Sequence, residues 1–207
     1  MSKPFNPLDR HNLARAVAAQ IEESDVLPLD VARTYVRDNN FPGAGVYAIY
    51  YDGDFEPYGK LAAANADGSK HPIYVGKAIP EGGRKGLDDS GVDTKALTKR
   101  LREHRTSIIQ ADNLDLADFT MRWLVVEDIW IPLGESAMIR RYRPVWNAVV
   151  DGFGNHDPGS GRKDGLRSQW DTIHPGRPWT HKFPARPAGS DLLIAQDARQ
   201  YLDTRLS

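Results

Sequence analysis

Gly45-Val46-Tyr47-Ala48-Ile49-Tyr50-Tyr51 and Pro72-Ile73-Tyr74-Val75-Gly76 stand out along the chain. Both are rich in β-branched and aromatic residues, which suit a pleated, half-buried surface, so both read as strands. Residues 52–71 between them form a polar insertion with turn signals at Asp52-Gly53 and Asp67-Gly68. It is long for a hairpin connection, which commonly takes about two to five residues. Upstream, Asn39-Asn40-Phe41-Pro42-Gly43 is a turn signal. Before it, Leu13, Val17 and Ile21 recur at helical spacing within Arg10–Glu23. Pro28 breaks that segment, and Leu29, Val31, Tyr35 and Val36 suggest a second short helix.

Downstream, residues 78–95 are a second polar, Gly-rich insertion. A helix is expected from about Thr94 to Gln110, with Leu97, Leu101 and Ile108 as its apolar stripe. Lys99, Arg100, Arg102 and His104 are placed elsewhere around it. Phe119–Val126 reads as a third strand, and Glu135 opens a helix that runs through Arg141 and ends at Arg143-Pro144. The tail is rich in glycine and proline, with a final helix expected over Leu192–Leu202. The order predicts an α+β fold: a small, mixed three-stranded sheet with flanking helices. One domain is expected, with a helical arm over 1–40, a core over 41–147 and an extension over 148–207.

Composition narrows the function. The 207 residues contain no cysteine, which excludes disulfides, thiolate metal sites and cysteine nucleophiles. No stretch approaches the ~18 apolar residues of a membrane span, and no signal peptide opens the chain, so a cytoplasmic protein is expected. The net charge is only -1, yet residues 84–105 carry seven Lys/Arg against four acids. Acids gather instead near both ends, as at Glu22, Glu23, Asp197 and Asp203. A basic centre is compatible with a DNA cleft. Ordinary solvated helix faces give the same pattern, and charge alone favours that blander reading.

The candidate chemistry lies in Tyr47, Tyr74, Arg100, His104, Glu135 and Asn147. Each has a bland explanation. Strand tyrosines usually pack, Arg100 and His104 could lie on a solvated basic face, and an acid early in a helix suits the dipole. Asn147 could satisfy a turn. Taken in order, the set is harder to obtain by chance. Over residues 41–147 it resembles the GIY-YIG nucleases, with Gly45-Val46-Tyr47 and Tyr74-Val75-Gly76 as the two tripeptides. Valine stands for isoleucine in both. The family pattern then asks for a helix arginine, a glutamate and an asparagine, matched by Arg100, Glu135 and Asn147. Arg102 is an alternative arginine.

The His104 spacing from Arg100, the N-terminal arm and the tail resemble the type II restriction endonucleases built on this module. The tail residues Gly152-Phe153-Gly154-Asn155-His156-Asp157-Pro158-Gly159, Trp170 and His174-Pro175-Gly176-Arg177 resemble the subgroup that cuts CCGCGG. That resemblance implies a bacterial, Mg²⁺-dependent enzyme, with Mn²⁺ as a substitute, acting as a homodimer on double-stranded DNA beside a separate DNA methyltransferase. It implies Tyr47 as general base, assisted by His104 or Lys60, and Tyr74 bonded to the phosphate or the water. Arg100 would clamp the phosphate, Glu135 would hold the metal, and Asn147 would order the site or a phosphate. Loop residues Arg84, Lys85, Arg162, Lys163, Arg167 and Arg177 are expected at the DNA, because arginine on guanine is the commonest base contact. Alternatives are a homing or repair nuclease, disfavoured by the 60 residues after Asn147, and an inactive DNA-binding module.

Overall fold

A computed structural model describes residues 10–32, 43–80, 94–157 and 165–207. One sheet runs in the order β1-β4-β2-β3, every pair antiparallel. Its strands are β1 (Leu27–Pro28), β2 (Gly45–Tyr51), β3 (Tyr74–Ala78) and β4 (Phe119–Val125). The class is α+β as expected, but the sheet has four strands rather than three and is not mixed. The extra strand is the two-residue β1, where Pro28 is tolerated because it lies on an edge. The expected second helix starts there as a single 3₁₀ turn, Leu29–Val31; Tyr35 and Val36 lie outside the described residues.

The central strand β2 is buried along its whole length, which is why it reads as a continuous apolar run. Its alternation sorts the core onto two faces. Tyr47, Ile49 and Tyr51 pack with Leu97, Leu101 and Ile108 of α3 (Ala96–Gln110) and with Trp146. Val46, Ala48 and Tyr50 pack with Val17 and Ile21 of α1 (Arg10–Glu23) and with Ile131 and Met138 of α4 (Ile131–Tyr142). Helix α4 begins four residues before Glu135, with Pro132 in its first turn, where a missing N–H costs nothing. Glu135 therefore sits in the second turn rather than opening the helix.

The 52–71 insertion is more ordered than its polarity suggests. It holds a 3₁₀ turn, Glu56–Tyr58, and α2 (Gly59–Asn65), too short to show a helical period. Tyr58 and Leu61 are buried, and Asn65 bonds Tyr51 O, His71 O and the amides of Lys70 and His71 at 2.9–3.1 Å. Ion pairs Glu56–Arg199 and Lys60–Asp203 join the insertion to α7 (Ser190–Arg205), so it lies against the chain's own last helix. The tail also contributes to the core: α5 (Val145–Ala148), α6 (Gln169–Ile173) and α7 supply Trp146, Trp170, Ile173, Ile194 and Leu202. Among the described residues no helix is long and apolar enough to cross a membrane.

A buried polar chain links the insertion to the tail. Trp146 donates to Tyr58 Oη at 2.8 Å, Tyr58 lies 2.8 Å from His174 Nε2, and His174 Nδ1 lies 2.9 Å from Asn113 Oδ1. An amide oxygen only accepts, so Nδ1 carries the proton and Nε2 accepts from Tyr58. Burial and the Arg177 charge push the imidazole down to about 3. Between that value and an ordinary ~6.5 the unfolded chain binds the extra proton and the native one does not, so stability falls as pH drops below about 6.5. His174 alone should remove roughly 2 kcal/mol between pH 7 and pH 5. Urea unfolding at the two pH values checks this; a His174→Gln variant should show a correspondingly flatter dependence.

Candidate active site

The strand pairing places two tyrosines side by side. Tyr47 faces Gly76 across the β2–β3 ladder and Ile49 faces Tyr74, so Tyr47 and Tyr74 are diagonal neighbours on one face. Their ring centroids are 6.3 Å apart. The glycines of both tripeptides then have a steric reason. A Cβ on Gly76 would meet Tyr47 Oη at 2.3 Å, and one on Gly45 would meet Leu124 O at 2.0 Å. The first keeps room for a hydroxyl; the second lets β4 approach β2.

Helix α3 lies under this face. His104 falls in the apolar stripe with Leu97, Leu101 and Ile108, contrary to its expected place elsewhere on the helix. Its 1% exposure rules out a solvated basic face there. His104 Nε2 lies 2.6 Å from Tyr47 Oη. Arg100, one turn earlier, donates to Gly154 O at 2.8 Å and to Glu103 at 3.1 Å, and its guanidinium also meets His156. Lys60, the other residue considered for assisting Tyr47, is instead at Asp203.

Electrostatics fix the resting protonation. Burial raises the Tyr47 phenol well above its ordinary value; Tyr74 and Glu135 add to the rise, and Arg100 opposes it. Tyr74 is raised as well, mainly by burial. Burial and the Arg100 charge push His104 well below the usual imidazole range. Tyr47 and His104 are therefore both neutral and share one proton. The phenolate is not preformed, and the nearest acceptor for its proton is the imidazole.

Glu135 approaches from the opposite face. Lys77 follows Gly76 on β3 and so points away from Tyr47, toward α4, where its Nζ lies 2.5 Å from Glu135 Oε2. Because β3 is an edge strand, the two faces meet around it. Lys77, Lys95, Lys99, Arg100 and His156 line one cleft of about 620 Å³. On the other side, Glu135, Arg140 and Arg143 line a second cleft of about 650 Å³. Glu135 Oε1 makes no hydrogen bond among the described residues. No group of three or more His, Cys, Asp or Glu poised for a metal occurs among those residues. A lone carboxylate with one oxygen unbonded among the described residues still fits Mg²⁺, which takes one or two carboxylates and fills the rest of its shell with water and phosphate oxygens.

Asn147 is fully engaged: it accepts from the Val75 amide at 2.8 Å and donates to Val75 O at 2.9 Å. Its side chain thus replaces a neighbouring strand on the open edge of β3 and holds Tyr74 in register. Arg177, expected at DNA, is instead 1% exposed and paired with Asp171 at 2.6 Å, so it presents no surface to a base. Arg167 is half-buried, and its buried Nε has no hydrogen-bond partner among the described residues. Arg84, Lys85, Arg162 and Lys163 lie outside the described residues. Sequence reasoning missed Lys77, and it singled out Phe153 and His156 only as part of the tail's resemblance, with no place in the site. Alternation along β3 could have found Lys77, because it sets that side chain on the α4 face.

A four-stranded antiparallel sheet with paired tyrosines on adjacent strands, an arginine–histidine helix beneath them and a glutamate at the edge defines a GIY-YIG nuclease module. The family model described as the Eco29kI GIY-YIG domain matches residues 39–202, and the chain belongs to this family of restriction endonucleases. No individual curated protein matches it.

The Gly76 contact is testable. Gly76→Ala should leave the sheet folded, at an overpacking cost of about 1–3 kcal/mol, and displace the Tyr47 hydroxyl from His104. Cleavage of plasmid DNA should fall by at least ~10²-fold, the lower bound for losing a positioned base. Wild-type cleavage by the folded variant would show that the hydroxyl position is immaterial.

Proposed function

We propose that this protein is a type II restriction endonuclease that cuts both strands of a palindromic duplex by metal-assisted hydrolysis. The observation that carries the mechanism is the buried 2.6 Å contact between Tyr47 Oη and His104 Nε2. Neutral His104 accepts the Tyr47 proton, and the phenolate takes a proton from the attacking water. The water oxygen forms the new bond to phosphorus as the bond to the 3′ oxygen breaks. Arg100 neutralises charge on the non-bridging oxygens of the pentacovalent state, where fixed cations act most strongly. Tyr74 orients the phosphate or the water. Glu135 would hold Mg²⁺, or Mn²⁺ in its place, which supplies Lewis-acid stabilisation to the leaving oxygen. Lys77 holds Glu135 Oε2, which leaves Oε1 for the metal. Neutralising that carboxylate also removes one of the charges that raises the Tyr47 pKa.

The basic clefts on either side of the edge strand support a duplex lying across it. CCGCGG is the site to test first, given the tail's resemblance to that subgroup, with a methyltransferase protecting the host's own sites. One module carries one Tyr47 and one Glu135 and cuts one strand, so a two-fold dimer suits a two-fold site. The N-terminal arm and the 52–71 insertion are the candidates for subunit contact and DNA wrapping, each with one face already packed on the chain itself.

Tyr47→Phe should bind DNA as wild type does and lose ~10²–10⁴-fold in cleavage, and Glu135→Gln should lose cleavage in Mg²⁺ with binding retained. Near-wild-type cutting by either variant would remove that residue from its role. Sedimentation with a cognate duplex should find two subunits per site; one subunit with sequential nicking would refute the dimer.

A further inference from the structure

Arg177, buried to 1% exposure, is not in the reacting set, yet it touches what holds that set. Arg177 Nε pairs with Asp171 at 2.6 Å. Its remaining nitrogens fan out onto the carbonyls of Gly152 at 2.9 Å and of Phe153 and Asn155 at 3.2 Å. The guanidinium is stacked against Trp170 and Trp179, at 4.5 and 4.8 Å from their centroids. A buried ion pair alone is weak evidence of stabilisation, because well-packed apolar residues often do as well. A planar fork that gathers three carbonyls of one loop does something apolar residues cannot.

That loop is the wall of the active site. Gly154 O accepts from Arg100, and a Cβ on Gly154 would meet Tyr74 Oη at 2.7 Å. The Phe153 ring stacks on His104 at 4.5 Å and 18°. His156 meets Arg100 and lies 3.4 Å from Glu103. The preceding residues tie the brace to the same helix: Pro175 O accepts from the Asp112 amide at 2.8 Å. Gly176, at φ 130°, lies so close to the end of α3 that a Cβ would meet Gln110 O at 1.8 Å.

We propose that Arg177 is a positioning residue of the nuclease site: it fixes the 152–156 loop, and the loop sets Arg100 and His104 against Tyr47. The two tail motifs are then one device, and the extension completes the site built on the sheet. This rests on the nuclease reading above. It predicts a rate defect in the folded enzyme, since a misplacement of about 1 Å can cost ~10²-fold in rate.

The test is single-turnover cleavage of a CCGCGG duplex in Mg²⁺ by the full chain, with DNA binding measured in parallel without metal. Arg177→Lys keeps the charge beside Asp171 but cannot gather three carbonyls. It should lower the rate constant by about ten-fold or more at full amplitude, with Kd unchanged. Phe153→Leu keeps an apolar side chain and removes the ring from His104; it should give the same signature and serves if Arg177→Lys does not fold. Loss of amplitude at an unchanged rate constant would mean a merely structural role and would overturn the proposal, as would wild-type kinetics in both variants. If the wild-type chain cuts no DNA, the nuclease reading fails and this inference with it.

Discussion

The contact between Tyr47 and His104 constrains the rest of the molecule. A phenol and an imidazole at 2.6 Å, both buried, must stay neutral and satisfy each other. Each side of that pair is set by a different element. Gly76 leaves space for the hydroxyl, and the α3 stripe delivers the imidazole into the core rather than to solvent. Burial pushes the two pKa values apart, so the proton rests on the phenol. In the proposed mechanism this keeps Tyr47 quiescent until charge arrives at the site, which suits an enzyme that should cut only on a bound substrate.

The sheet edge organises the charges. Strand β3 carries Tyr74 on one face and Lys77 on the other, so both faces of the sheet reach the same edge. An open strand edge would normally invite pairing with another chain. Here Asn147 covers part of it with a side-chain imitation of a strand, and Trp146 adds its amide to Ile73 O at 3.0 Å. The covered edge leaves the neighbouring clefts, with Lys95 and Arg100 on one side and Arg140 and Arg143 on the other, as the accessible basic ground.

Much of this was legible in the sequence. The two tripeptides, their alternation and the spacing of Leu97, Leu101 and Ile108 fixed the strands, the long helix and the order of site residues. These signals are local: side-chain direction repeats every two residues in a strand and every 3.6 in a helix. His104 was legible too, since it continues the same helical stripe, but its polarity argued for the surface. Short elements were not legible. The β1 pair and α2 are held by contacts with β4 and α7, not by their own period.

Residue order along the chain is enough to place it in its class and to name the groups that could react. Which of those groups meet depends on packing. His104 rather than Lys60 reaches Tyr47, across 57 residues of chain, and Lys77 meets Glu135 across 58. Arg177 turned from an expected DNA contact into an internal brace, because Asp171 and three loop carbonyls surround it. The physical reason is the same in each case. Residue type and local period are written along the chain, whereas desolvation and partnership depend on which distant elements pack against a side chain.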